Sequence, residues 1–147
     1  SSIFKEKGGE IILSATFELK PGDEASIKKI IEEKKQYRKD RQPLEHPNIG
    51  SIFKNIDVKK LPKEIAERFK NRMKTDPFLV LPAAILISEA GLKNTRVGGA
   101  IVSPKHPNFI VNIDNATEKD VKELMKIVRA AVKKHFNVEL EQEVIFW

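Results

Sequence analysis

The chain has 147 residues, a length that suits one domain or one domain with part of another. It contains no cysteine, which excludes disulfide bonds, thiolate zinc sites and a cysteine nucleophile. Its longest mainly apolar run, residues 78–87, is interrupted by Pro82 and is too short to span a bilayer. We therefore expect a soluble, cytoplasmic protein with no membrane partner.

The charge balance is basic, because 27 Lys and Arg residues outnumber 21 Asp and Glu residues to give a net charge of +6. A basic balance permits anionic partners, including nucleic acid and phosphorylated metabolites. The charges are interleaved, as in residues 32–35 and 118–120, and this pattern is typical of solvated helix faces. We expect no nucleic-acid partner, but a nucleic-acid-binding module and a non-catalytic interaction domain remain open as alternatives.

The first predicted elements are a strand and a helix. Residues 10–19, EIILSATFEL, are rich in β-branched and aromatic residues and stop before Pro21, which predicts a strand and a turn. A helix then starts at residue 22 or 23 and runs to about residue 39, with a charged face towards solvent.

Residues 42–55, QPLEHPNIGSIFKN, combine two prolines with an Asn-Ile-Gly turn. Such a segment predicts a loop, and the apolar side chains of Ile52 and Phe53 predict that this loop is anchored and ordered. Its position after Gly50 makes Ser51 the residue that the loop presents.

Two helices are predicted in the middle of the chain. Residues 57–76 predict a short surface helix, in which Pro62 can occupy the first helical position. A second helix spans residues 83–90 and is closed by Gly91.

The last third of the chain predicts a hairpin over residues 95–113, a helix and a final strand. Gly98 and Gly99 within the hairpin indicate either a bulge or a point where another backbone or a ligand comes close. Thr117 is the natural cap of a helix that ends at residues 135–137, and residues 138–147 alternate as a strand. The order of elements predicts an α+β fold, with helices covering a small, mainly antiparallel sheet.

The candidate functional residues are polar side chains beside turns marked by glycine or proline: Ser51, Lys54, Asn55, Lys93, His106 and Glu143. Each also has an ordinary structural explanation as a turn serine or an exposed charged residue, and spacing alone leaves both open. The three histidines lack metal-ligand spacing, so we predict no metal site. No phosphate-binding glycine loop or nucleophile-elbow pattern is present.

Four stretches taken together resemble a known family. They are GSIFKN, PAAILISEAGLKNTRVGGAIVS, KHPNFIVNIDNAT and VELEQEV. In this order they resemble the C-terminal half of UDP-N-acetylenolpyruvoylglucosamine reductase, also called UDP-N-acetylmuramate dehydrogenase, a flavoenzyme of peptidoglycan synthesis. The resemblance covers nearly the whole chain.

The resemblance implies a chemistry for these residues. Members of the family reduce FAD with NADPH and pass hydride to the methylene carbon of the enolpyruvyl ether of a UDP-sugar. Ser51 would then protonate the neighbouring carbon, and Glu143 would act around the enolate or as a proton relay. The contacts to the uridine diphosphate part of the substrate would fall on four further residues: Asn55, Lys54, Lys93 and His106.

The resemblance also implies a domain organisation. Residues 1–20 would be the C-terminal tail of an FAD-binding domain, with its last strand left over and the rest of that domain missing. Residues 21–41 would form a connecting helix, and residues 42–147 the substrate-binding domain. We expect such a fragment to bind flavin poorly and to be inactive alone. One departure is Ile56, which stands where the family usually has proline and begins a longer segment.

Overall fold

The computed structural model describes residues 11–75 and 78–146 of the chain. Parts of four predictions fall outside these residues: the first half of the domain tail at residues 1–20, the start of the first strand at Glu10, the helix stop at Asp76 and Pro77, and the strand end at Trp147. The chain divides into two units, Ser1–Lys35 and Gln36–Trp147, here called the N-terminal and C-terminal units.

The prediction of a first strand is wrong for residues 11–19, the part of it that the structure describes. Residues 11–20 have no regular secondary structure, and the side chains of Ile11 and Leu13 are 85% and 92% exposed. β-Branched and aromatic residues favour a strand only where another strand can pair with their backbone N–H and C=O groups. Among the described residues, no strand pairs with this segment.

The predicted first helix is confirmed as α1, Glu24–Arg41. It starts after Asp23, whose carboxylate accepts a hydrogen bond from the backbone N–H of Ser26 at 2.8 Å. The side chains of Glu24 and Lys28, one helical turn apart, form an exposed ion pair at 2.5 Å. Similar pairs on the last helix confirm that the interleaved charges form solvated helix faces.

The described residues of the C-terminal unit form two antiparallel sheets and three further helices. The four-stranded sheet has the order β1–β7–β6–β5, and the three-stranded sheet has the order β2–β4–β3. The elements are β1 (Asn48–Ser51), β2 (Ile56–Asp57), α2 (Lys63–Phe69), β3 (Lys74–Thr75), β4 (Leu79–Leu81), α3 (Ala83–Glu89), β5 (Arg96–Val97), β6 (Ala100–Val102), β7 (Phe109–Asn112) and α4 (Glu118–Phe136). Short 3-10 turns, Val58–Lys60 and Lys70–Arg72, flank α2. This arrangement confirms the α+β class.

The core of this unit lies between α4 and the strands β5 and β6, against which α4 packs. Leu124, Val128 and Val132 recur at helical spacing on α4 and are at most 1% exposed. Leu86 of α3 and Val102 of β6 are completely buried in the same cluster. No helix within the described parts of the chain has the length and apolarity that crossing a membrane requires.

Helix α4 has the ends that the sequence predicts. The Thr117 hydroxyl accepts from the backbone N–H of Asp120 at 3.2 Å, and the Asp120 carboxylate accepts from the backbone N–H of Thr117 at 2.9 Å. These bonds to Thr117 hold the pKa of Asp120 below its ordinary value, and the backbone N–H of Gly99 acts in the same direction. At the other end, Asn137 takes the left-handed conformation, with φ of 52°.

The predicted hairpin over residues 95–113 consists of two successive hairpins, β5–β6 and β6–β7. Gly98 and Gly99 form the tight turn of the first one, and not a bulge. A Cβ atom on Gly99 would lie 2.0 Å from the carbonyl oxygen of Asp114. The close approach of another backbone at this position is therefore confirmed.

The prediction of a surface helix over residues 57–76 is wrong in extent and in burial. The helix there is α2, Pro62 is its N-cap, and the rest forms 3-10 turns and the short strands β2 and β3. Ile65 and Phe69, four residues apart on one face of α2, are 7% and 3% exposed. The Phe69 ring contacts the Phe136 ring edge-on at 6.1 Å. Strands of two residues are too short to leave a periodic pattern in the sequence.

The prediction of a final strand over residues 138–147 is also wrong over the described residues. Residues 138–146 form one isolated bridge, between Gln142 and Phe53, and no regular strand. Strand β1 ends at Ser51, so the last segment meets an irregular stretch of chain and not a straight strand edge. The predicted loop over residues 42–55 is ordered as expected, but it contains strand β1.

Candidate functional site

Ser51 is the last residue of β1, and it is exposed. Its Cα lies opposite that of Phe109 in β7, and the pairing is irregular between Asn48 and Ser51. Gly50 allows this irregularity because its φ of +86° belongs to the region that favours glycine. The Asn48 side chain braces the same turn, since its Oδ1 accepts from the backbone N–H of Gly50 at 3.1 Å.

The chain beyond Ser51 is anchored by the buried side chains of Ile52 and Phe53, which are 1% and 2% exposed. On one side, this stretch pairs with the last segment of the chain. The backbone N–H of Glu143 donates to the Ile52 carbonyl at 2.8 Å, and the backbone N–H of Lys54 donates to the Glu141 carbonyl at 2.8 Å. We call the paired stretches, residues 51–55 and 141–143, the serine edge. It brings together four of the six predicted site residues: Ser51, Lys54, Asn55 and Glu143.

The serine edge carries three charged side chains, those of Lys54, Glu141 and Glu143, and Lys54 forms an ion pair with Glu141. The hydrogen bond to Glu141 raises the pKa of Lys54 above its ordinary value, and the charge of Glu143 contributes as well. The same bond lowers the pKa of Glu141, with a further contribution from the charge of Lys60. Lys54 is therefore protonated over the whole physiological range, in the field of both carboxylates.

Asn55 connects the serine edge to α3, because its Oδ1 accepts from the backbone N–H of Ala83, the first residue of that helix, at 3.3 Å. Lys54 and Asn55 also line a groove with a volume of about 210 Å³. Lys60, Phe78 and Glu141 contribute to the same groove. Asp57 and Glu139 line it as well, so its wall offers two cations and an amide beside three carboxylates.

His106 is less exposed than a hairpin tip suggests. Its ring packs edge-on against the ring of Phe109, with 4.6 Å between the centroids, and its Nδ1 atom is buried with no hydrogen-bond partner among the residues that the structure describes. Burial lowers the pKa of the imidazole below its ordinary value of 6.5, and the charge of Lys74 lowers it further. His106 is therefore neutral at pH 7, and it lies against the residue that pairs with Ser51.

Lys93 is exposed in the loop between α3 and β5. The next residue, Asn94, donates its backbone N–H to the Val102 carbonyl at 3.0 Å, so the loop lies beside the end of β6. No hydrogen bond or ion pair within the described residues joins Lys93 to the serine edge.

Asn108, whose side chain is only 3% exposed, was not among the residues predicted from the sequence. The backbone N–H of Phe53 donates to its Oδ1 at 3.0 Å, and its Nδ2 donates to the Phe53 carbonyl at 2.8 Å. Its position directly before the apolar run Phe109–Val111 was the only signal in the sequence, and that position also fits an ordinary turn residue.

Residues 42–147 match the family described as UDP-N-acetylenolpyruvoylglucosamine reductase, C-terminal domain. The UDP-N-acetylenolpyruvoylglucosamine reductase of Lachnoclostridium phytofermentans is 42% identical over 144 residues, which are 98% of this chain and 39% of that protein. The enzyme of the same name from Clostridium novyi is 38% identical over 138 residues, 94% of this chain and 38% of that protein.

A solved structure agrees with these matches. The crystal structure of UDP-N-acetylenolpyruvylglucosamine reductase from Thermus caldophilus superposes with a TM-score of 0.57 and 34% sequence identity. That alignment covers 86% of this chain and 37% of the other. The chain thus spans about two fifths of the length of the relatives it matches. It belongs to the UDP-N-acetylenolpyruvoylglucosamine reductase family and corresponds to the C-terminal part of its members.

Proposed function

We propose that this chain is the substrate-binding part of a reductase of peptidoglycan synthesis. The reaction is the NADPH-dependent reduction of the enolpyruvyl ether of UDP-N-acetylglucosamine to UDP-N-acetylmuramate, with FAD as the cofactor. Family membership supports the proposal, and one contact carries it. The hydrogen bond from the backbone N–H of Glu143 to the Ile52 carbonyl puts a carboxylate-bearing residue beside the residue that follows Ser51.

The serine edge fits one wall of a flavoenzyme site, because Ser51 and Glu143 are both exposed on it. When bound, the flavin supplies the hydride that adds to the methylene carbon of the substrate. We assign the binding of flavin to the part of the longer relatives that this chain does not span. What this chain contributes is a proton, its delivery, and the binding of the anionic substrate.

Ser51 is the proposed proton donor to the carbon next to the methylene carbon. A serine hydroxyl is a weak acid at neutral pH, so it can act only when orientation and neighbouring charge favour the transfer. Gly50 and the anchors Ile52 and Phe53 supply the orientation. Glu143 is the proposed partner, either as a relay that returns a proton to Ser51 or as a group acting around the enolate.

Lys54 and Lys60 line the groove beside the serine edge together with three carboxylates, and these two lysines are the proposed contacts for part of the diphosphate. A diphosphate bound there would compete with Glu141 for the ammonium group of Lys54. We further propose that Asn55, Lys93 and His106 contact the uridine diphosphate portion. A neutral His106 would do so by hydrogen bonding and not by charge.

The test is the substitution Ser51→Ala in the full-length protein, with the two half-reactions measured separately by stopped-flow flavin absorbance. Reduction of the flavin by NADPH should be unchanged, because Ser51 has no part in it. Reoxidation by the enolpyruvyl substrate should fall by about 100-fold or more, the usual contribution of a positioned proton donor. Ser88→Ala on α3 is the matched control and should leave both steps unchanged. Normal reoxidation in S51A would disprove the proton-donor role.

Titration with a UDP-sugar separates this proposal from the two alternatives. A reductase domain binds the UDP-sugar, whereas a basic nucleic-acid-binding module binds DNA or RNA with an affinity that falls steeply with salt. A non-catalytic interaction domain would tolerate S51A and E143Q without any biochemical loss.

A further inference from the structure

The side chain of Asn108 is buried directly beneath the serine edge, and none of the proposed catalytic or substrate-binding roles falls on it. Its amide makes two hydrogen bonds, both to the backbone of Phe53. The backbone carbonyl of Asn108 accepts a third hydrogen bond, from the backbone N–H of Ile52 at 2.9 Å. One residue therefore holds three backbone groups of the stretch between Ser51 and Lys54.

The two side-chain bonds extend the pairing between β1 and β7 beyond its last pair of backbone residues. Pairing between β1 and β7 ends where Ser51 lies opposite Phe109. The main chain then turns away, since the backbone N–H of Phe109 donates to the His106 carbonyl at 2.9 Å. A side-chain amide offers the same donor and acceptor as a peptide group. The Asn108 side-chain amide therefore forms with Phe53 the two bonds that a backbone peptide group of a longer β7 strand would form.

The opposite side of the same stretch is held by the last segment of the chain. The Ile52 carbonyl accepts from Glu143, and the backbone N–H of Lys54 donates to the Glu141 carbonyl. Residues 52 and 53 are thus fixed between Asn108 on one side and residues 141–143 on the other. Displacing them moves the backbone that carries Ser51 relative to Glu143.

We infer that Asn108 is a positioning residue for the proton transfer, acting through the backbone of Ile52 and Phe53. The inference rests on the proposed function, because it assigns the geometry between Ser51 and Glu143 to a buried amide. Small displacements of reacting groups reduce rates steeply, while folding tolerates them. A purely structural asparagine would instead affect stability and leave the chemical step unchanged.

The chemistry of the amide suggests a pair of variants. Alanine removes both side-chain bonds to Phe53. Aspartate has the same shape as asparagine, but its ionised carboxylate keeps only the acceptor and faces the Phe53 carbonyl with a negative charge. When protonated, aspartic acid has a donor and an acceptor again. Burial raises the pKa of such a carboxyl group, so protonation occurs at a pH above its ordinary range.

The experiment compares N108A with S51A in the full-length reductase, using the same two half-reactions. N108A should slow reoxidation by the enolpyruvyl substrate about 100-fold, with flavin reduction by NADPH unchanged. Asn112→Ala is the matched control. It removes a bond of the same kind, from the backbone N–H of Ala116 to Oδ1 at 2.9 Å, away from the serine edge. N112A should leave both half-reactions unchanged, even where it lowers the thermal unfolding midpoint as much as N108A does.

The second measurement is the pH profile of N108D. Its reoxidation rate relative to the wild type at the same pH should rise as the pH falls, because the protonated carboxyl group restores both bonds. This profile decides the question even where N108A does not fold. A ratio that is constant with pH would overturn the inference. Normal reoxidation in N108A would also overturn it if S51A is impaired, whereas normal reoxidation in S51A would overturn the proposed function itself.

Discussion

Substitution of Gly99 by alanine should strongly destabilise the C-terminal unit. The added Cβ would lie 2.0 Å from the Asp114 carbonyl oxygen and 2.5 Å from the Ala116 backbone nitrogen, whereas real Cβ atoms essentially never come within 3.0 Å of such neighbours. Both neighbours are backbone atoms in the connection between β7 and α4, so no side chain can rotate to make room. Either the β5–β6 turn or this connection must move by about an ångström.

The magnitude follows from two contributions. Overpacking of a well-packed site costs about 1–3 kcal/mol, and backbone neighbours place Gly99 at the upper end. The movement also threatens the hydrogen bond from the backbone N–H of Ile113 to the Gly99 carbonyl, at 2.9 Å. A bond of this kind contributes about 1 kcal/mol. We therefore expect G99A to lower the free energy of unfolding by about 3–4 kcal/mol.

Gly91→Ala is the matched control for this prediction. Gly91 has φ of +73°, and a Cβ there would meet nothing within 4 Å. Its cost is therefore conformational only, about 1–2 kcal/mol. Urea unfolding of both variants, followed by far-ultraviolet circular dichroism, measures the difference. A loss in G99A no larger than that in G91A would refute the close packing of residues 114–116 against this turn.

Two further predictions concern α2 and α4. Phe69→Ala should lower the free energy of unfolding by about 3–5 kcal/mol, because the ring is 3% exposed and packs on Phe136. Its control is Ile49→Ala, at a side chain that is 67% exposed. Equal losses of unfolding free energy in the two variants would contradict a core role for α2. The variant Asp120→Ala should be less stable than the wild type near neutral pH. The pKa of Asp120 is lowered in the folded protein, so its ionised carboxylate stabilises the fold at pH values above the ordinary pKa of 3.8. That difference in urea midpoint should narrow as the pH falls through the lowered pKa, and a difference that does not change with pH would contradict the role of the ionised carboxylate.

Interactions between residues close in sequence explain why the ends and the buried face of α4 were predicted correctly. Thr117 and Asp120 interact over three residues, and the buried positions of the helix follow its own period, so the sequence contains what determines both features. The same holds for Asp23 at the start of α1. Gly91 likewise follows the end of α3, in the left-handed conformation with φ of +73°.

The wrong predictions share a different cause. Residues 11–19 have the composition of a strand, but a strand forms only when another backbone satisfies its hydrogen-bonding groups. The last segment of the chain has the alternation of a strand, and it meets a stretch that permits one bridge. In residues 57–76, the burial of Phe69 depends on Phe136, which lies far along the chain.

By itself, the sequence determined helices α1, α3 and α4, the antiparallel pairing within residues 95–113, the ordered segment before Ser51 and the family resemblance, since each depends on neighbouring residues or on the order of motifs along one chain. Only the tertiary structure decided which of the candidate residues lie side by side. It joined Ser51, Lys54, Asn55 and Glu143 along one edge. It also revealed Asn108, which is 55 positions from Phe53 in the sequence. An amide can replace a strand backbone only where folding brings the two together, and no local pattern records that contact.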